Sequence, residues 1–106
     1  DFDEITVTEL KNILDKDNHP VVIDVREPFE LDIAKIGGTI HIPMREIQNH
    51  LSEFNVKDEI IVHCKSGVRS AKICKLLIEN KFINVKNVTG GILAWSKEID
   101  HSIPQY

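Results

Sequence analysis

Cysteine is scarce in this chain, and what is missing narrows the reading first. Two cysteines in 106 residues are too few for the disulfide framework of a small secreted domain. They read as reduced thiols, which fits a cytoplasmic setting, with one of them a candidate reactive group. Aromatic residues make up only 6%, with a single Trp and a single Tyr. No apolar run approaches the ~20 residues that a membrane-spanning helix needs, and no secretory signal is visible. Positive charge is also short. Thirteen Lys and Arg stand against seventeen Asp and Glu, a net charge of −4, which weighs against nucleic acid as the main partner. Repeats and low-complexity segments are absent. The chain starts at Asp1 rather than Met, which fits a processed product or a domain excised from a longer polypeptide.

What remains is ordinary globular composition, 42% hydrophobic and 28% charged. That excludes disordered, collagenous and coiled-coil classes. The length predicts one domain spanning residues 1–106. Thr6-Val7-Thr8-Glu9 forms a capping-box pattern, so the spacing of Leu10, Ile13 and Leu14 predicts a helix over about 7–16. Val21-Val22-Ile23-Asp24-Val25 and Glu59-Ile60-Ile61-Val62-His63 read as short strands buried on both faces, as in a parallel sheet. Val85–Val88 is a third strand, and Thr39–Pro43 a brief extended piece. Helices are expected at Pro28–Ile33, Ile47–Phe54, Arg69–Asn80 and after Gly90-Gly91, with the tail from His101 lying across the surface. Strands alternating with helices imply an α/β fold with a largely parallel sheet. Ligands in such folds sit beyond the C-terminal ends of the strands.

Cys64 occupies such a place. A strand runs directly into it, and a helix follows after Lys65-Ser66-Gly67-Val68. Gly67 permits backbone conformations that residues with a Cβ resist. Successive N–H groups in such a turn form an anion-binding nest, and the helix adds the positive end of its dipole. Lys65 and Arg69 supply formal positive charge. All of these favour thiolate over thiol, and the thiolate is the nucleophile. A buried, inert cysteine is the plain alternative.

Cys64-Lys65-Ser66-Gly67-Val68-Arg69-Ser70 resembles the C-x-x-G-x-R-S active loop of the rhodanese-like sulfurtransferases. Asp24-Val25-Arg26-Glu27 with Glu30 resembles that family's D-V-R-E-x-x-E segment, and Gly90-Gly91-Ile92-Leu93-Ala94-Trp95 its closing G-G-x-x-x-W. The likeness covers about Ile5 to Ile99. Where many members read G-H-I-P-G-A, this chain has Ala34-Lys35-Ile36-Gly37-Gly38-Thr39. Together with the Ile103-Pro104-Gln105-Tyr106 ending, that variant is similar to the C-terminal domains of E1-like adenylyltransferases of the molybdopterin-synthesis type. The resemblance implies a rhodanese-like three-layer sandwich, with a central, mostly parallel sheet of about five strands and helices on both faces. It implies that Cys64 takes sulfane sulfur from thiosulfate or a persulfide donor and passes it on, with Arg69 as the second catalytic residue. Lys65, Ser66, Gly67, Val68 and Ser70 would bind substrate, supported by Asp24, Arg26 and Glu30. The acceptor would be a thiol or other nucleophile, including a ubiquitin-like sulfur-carrier protein. Val68 and Ile36 would offer it apolar contacts, and Lys65 would steer it. No cofactor, metal or membrane is implied.

Two other readings stay open. A cysteine phosphatase also uses a Cys, a loop of amides and an Arg, but with five intervening residues rather than four. A rhodanese-like module can also serve only to bind or regulate, usually after losing its Cys. Asp24 lies within an apolar strand, where an unpaired carboxylate is costly, so it either points at the active loop or pairs with Arg26 or a backbone amide, the structural pairing being favoured. Arg26, Glu27 and Glu30 are expected as an ion-pair network at the pocket rim. Trp95 and Cys74 read as core, and His41, His50 and His63 as structural or solvated.

Overall fold

The structure is a computed structural model describing residues 1–106. Five strands form one sheet in the order β1-β5-β4-β2-β3, with every neighbouring pair parallel. They are β1 (Asp3–Ile5), β2 (Val21–Asp24), β3 (Ile40–His41), β4 (Glu59–His63) and β5 (Asn84–Val88). The helices are α1 (Val7–Leu14), α2 (Pro28–Ile33), α3 (Ile47–His50), α4 (Val68–Glu79) and α5 (Gly91–Glu98).

β4 lies at the centre, and its alternation sorts the core into two layers. Ile60, Val62 and Cys64 join Ile73, Cys74 and Leu77 of α4 and Ile47 of α3 in one cluster. Ile61 joins Leu10 of α1 and Ile92 and Trp95 of α5 in the other. This is the expected three-layer α/β sandwich. The apolar runs of β2 and β4 are continuous because both faces of the sheet's centre are covered.

Local chemistry explains most of the boundaries. Thr6 and Glu9 exchange the two hydrogen bonds of a capping box at α1, which closes at Leu14 with Asp15 as its cap. Glu27 and Glu30 make a second capping box at α2, with Pro28 at its first position. The helix expected over Ile47–Phe54 is instead one α-turn flanked by 3-10 turns at Met44–Glu46 and Leu51–Glu53. β1 has no counterpart in the sequence reading. It is three residues long and buries only Ile5, so it carries no periodic signal.

Candidate active site

The register of β4 against β2 sets Asp24 beside His63, and the chain then continues into Cys64. The Cys64 thiol enters the α4 layer at 1% exposure. Its Sγ accepts the Gly67 N–H at 3.1 Å and the Ser70 N–H at 3.4 Å, and the Ser70 hydroxyl lies 3.3 Å away. Gly67 turns the loop at φ +101°, a left-handed conformation that L side chains rarely adopt, and caps α4. Val68 and Arg69 open that helix, so their N–H groups have no intrahelical acceptor. The positive end of the helix dipole therefore faces the loop.

The loop is gripped from behind by α5. Ile92 and Leu93 donate their N–H groups to the Cys64 and Lys65 carbonyls at 2.9 and 3.1 Å. That approach requires Gly91, because a Cβ there would lie 2.5 Å from both carbonyl oxygens. From β5, Asn87 donates to the Gly67 carbonyl at 3.2 Å. A shallow groove lined by Glu4, Ser66, Val68 and Thr89 runs along this outer flank of the loop, away from the sulfur.

The charged residues sort differently from the sequence reading. Arg69 is held by Glu30 through two hydrogen bonds of 2.7 and 2.9 Å. This guanidinium is the main reason that the Glu30 carboxyl falls to about 2. Arg69 thus approaches the loop as half of an ion pair, not as free charge. Arg26 is not at a rim. It and Asp24 are fully buried and joined by hydrogen bonds of 2.7 and 3.0 Å. Burial alone would raise the Asp24 carboxyl, but the Arg26 hydrogen bonds and nearby His63 outweigh it and hold the pKa below the usual range. Arg26 also donates to the Ala34 carbonyl at 2.8 Å, so the buried guanidinium is well satisfied. Glu27 pairs instead with Arg45 at the surface.

Two further expectations change, those for Ile36 and for the tail. Ile36 is 2% exposed and belongs to the α1–α5 layer, so it is not a contact at the mouth, whereas Val68 is 62% exposed. His63 is fully buried 3.7 Å from Asp24, in keeping with the structural role expected of it, and burial drives its pKa down. The tail does not simply cross the surface. Tyr106 returns to the site, donating its hydroxyl to Glu30 at 2.6 Å and accepting from Arg26 at 2.8 Å. Lys65 Nζ lies 4.4 Å from the centre of its ring. Sequence reasoning used Tyr106 only as part of an ending. Its being the sole tyrosine was the one available signal. Cys74 and Trp95 are core, and both cysteines are free thiols. Nowhere do three His, Cys, Asp or Glu side chains gather as a metal site would require, and no helix is long and apolar enough to cross a membrane.

Comparison with known proteins points one way. Residues 6–98 match the family model for the rhodanese-like domain. The chain is 37% identical to the putative sulfurtransferase YtwF of Bacillus subtilis, covering 90% of this chain and 91% of that protein. It is 30% identical to the adenylyltransferase and sulfurtransferase MOCS3 of Danio rerio, covering 96% of this chain but 27% of that protein. The chain thus spans about a quarter of the MOCS3 relative, and half of the putative sulfur carrier protein YrkF of Bacillus subtilis. A rhodanese-like domain protein from Staphylococcus aureus superposes with a TM-score of 0.82 at 37% identity, covering 92% of this chain and 95% of the other.

Proposed function

The chain belongs to the rhodanese-like domain family, and from that premise we propose that it is a sulfurtransferase carrying sulfane sulfur on Cys64. The observation that supports this most is the sulfur's seat, with Gly67 and Ser70 N–H groups directed at it from the start of α4. Those donors and the helix dipole stabilise an anionic sulfur.

In the first half-reaction the Cys64 thiolate attacks the outer sulfur of thiosulfate. The S–S bond to the sulfonate breaks, and sulfite leaves with the electron pair, giving a Cys64 persulfide anion. In the second, a nucleophile attacks the outer persulfide sulfur and the Cys64 thiolate is regenerated. With cyanide the product is thiocyanate. This is two-step covalent catalysis. Backbone donors at the head of α4 hold the outer sulfur in both steps, so charge is stabilised without reorganisation. The Glu30–Arg69 pair braces α2 against α4 and so keeps that set of donors in place. For the acceptor we favour a sulfur-carrier protein, since relatives include MOCS3-type proteins and a putative sulfur carrier protein. Exposed Ser66 and Val68, with half-exposed Lys65, are the residues of the loop that such a partner would meet.

Mass spectrometry after thiosulfate treatment tests the reading. One added sulfur atom should map to Cys64, and cyanide should remove it. Thiosulfate that leaves Cys64 unmodified overturns it.

A further inference from the structure

The charges around the mouth are unequal in one respect. Arg69 of the loop is committed to Glu30, and the buried Arg26 to Asp24. Lys65 makes no ion pair. Its ammonium stands over the Tyr106 ring, 4.4 Å from the centroid, a cation–π geometry. The ring is itself seated. Its hydroxyl bridges Arg26 and Glu30 at 2.8 and 2.6 Å, and the side chain packs against the α1–α5 layer. The bridging hydroxyl links the two arginine–carboxylate pairs, and the ring face bears the one cation adjoining Cys64 that no carboxylate neutralises.

We propose that Tyr106 is a positioning residue that holds the Lys65 ammonium at the mouth of the Cys64 loop, and thereby favours doubly charged anionic sulfur donors over singly charged ones. This rests on the sulfur-transfer reading above. A long, flexible lysine side chain loses rotamer freedom when it is held in one place. A fixed aromatic face restricts it in advance without cancelling its charge, which a carboxylate partner would do. The fixed charge then attracts a dianion such as thiosulfate about twice as strongly as a monoanion.

The test compares thiosulfate with methanethiosulfonate, a monoanion that donates its outer sulfur to the Cys64 thiolate and leaves as methanesulfinate. Persulfide formation is measured as kcat/KM for each donor. Tyr106→Leu should lower the thiosulfate value about fivefold and the methanethiosulfonate value about twofold, since the electrostatic attraction scales with donor charge. Tyr106→Phe keeps the ring and should stay within about twofold of the parent for both. Lys65→Met should lower the thiosulfate value about tenfold, and adding Tyr106→Leu to it should change little further, because the two act as one unit. An equal fall for both donors, multiplying effects in the double variant, or Tyr106→Phe behaving like Tyr106→Leu would each overturn the proposal. If the parent protein takes sulfur from neither donor, the sulfur-transfer reading fails and this inference falls with it. If the parent transfers sulfur but the donor ratio never moves, only the role of Tyr106 fails.

Discussion

Cys64 stands just before α4 and Cys74 lies inside it, and both are buried in the same apolar cluster, at 1% and 0% exposure. Their surroundings differ completely. The Cys64 sulfur has two N–H donors and a hydroxyl within reach. Cys74 sits in the middle of the helix, where the backbone N–H groups are already spent on the turn before. Burial first, then the negative charges of Glu4 and Cys64, push its thiol up to about 12. Burial therefore does not decide what a cysteine can do. A sulfur at a helix start meets donors that have no other partner, whereas one nearly two turns on meets only apolar side chains and closed hydrogen bonds.

The sharpest way to break this contrast is to remove each sulfur in turn. Cys64→Ser should lower thiosulfate-dependent sulfur transfer by more than about a thousandfold, since the covalent carrier is gone. Cys74→Ser should keep the rate within about twofold while costing roughly 1–3 kcal/mol of stability, because a hydroxyl replaces a thiol in an apolar site. Steady-state assays and urea unfolding read both effects. Substantial turnover by Cys64→Ser, or a comparable loss in Cys74→Ser, would erase the difference between the two positions.

The Cys64 end of the contrast was legible in the sequence because its parts are neighbours in the chain. Strand, Cys64, Gly67 and the helix start lie within a single turn, and local chemistry dictates the shape. α1 and the two buried strands were legible for the same reason. The braces around the site were not. Arg69 meets Glu30 across 39 residues, and Arg26 meets Tyr106 across 80. No local pattern encodes a contact of that separation. Only the register that sets Asp24 beside His63, together with the return of the tail, creates it. β1 carries no periodic signal, since its three residues bury one side chain, and α3 is a single turn that the spacing of Ile47, Leu51 and Phe54 extends into a longer helix.

Acidification should separate the two regions next, since carboxylates brace the Cys64 end. Glu30 falls from 4.5 to about 2 on folding, and Asp24 is lowered as well. Between those values the unfolded chain binds more protons than the folded one. The stabilisation is therefore complete above about pH 4.5 and is lost as pH falls through the folded value. For Glu30 alone the effect is on the order of 2–3 kcal/mol. Glu30→Gln should flatten the stability profile between about pH 4.5 and pH 3 relative to the parent, read from urea midpoints across that range. Hydrogen exchange in the parent should open the α2–α4 contact before the α4 segment around Cys74. Parallel profiles for the two proteins would mean that the Glu30–Arg69 pair does not stabilise the fold.

The finest test acts on the Cys64 sulfur itself. Ser70 is fully buried, and it offers that sulfur two groups, its N–H and its hydroxyl. Ser70→Ala keeps the first and deletes the second. It leaves no new polar group without a partner, so the fold should be little affected. A single hydrogen bond to a weakly accepting sulfur contributes about 1 kcal/mol, so persulfide formation should slow about fivefold. Cys74 lies outside this set of contacts, and its alkylation should be unchanged. A stopped-flow measurement of sulfite release with thiosulfate gives the first rate, and alkylation with mass mapping gives the second. An unchanged rate of sulfite release would assign the stabilisation to the backbone donors alone. What distinguishes Cys64 from Cys74 would then be its place at the head of α4, a property of the fold that no side-chain substitution at position 70 can alter.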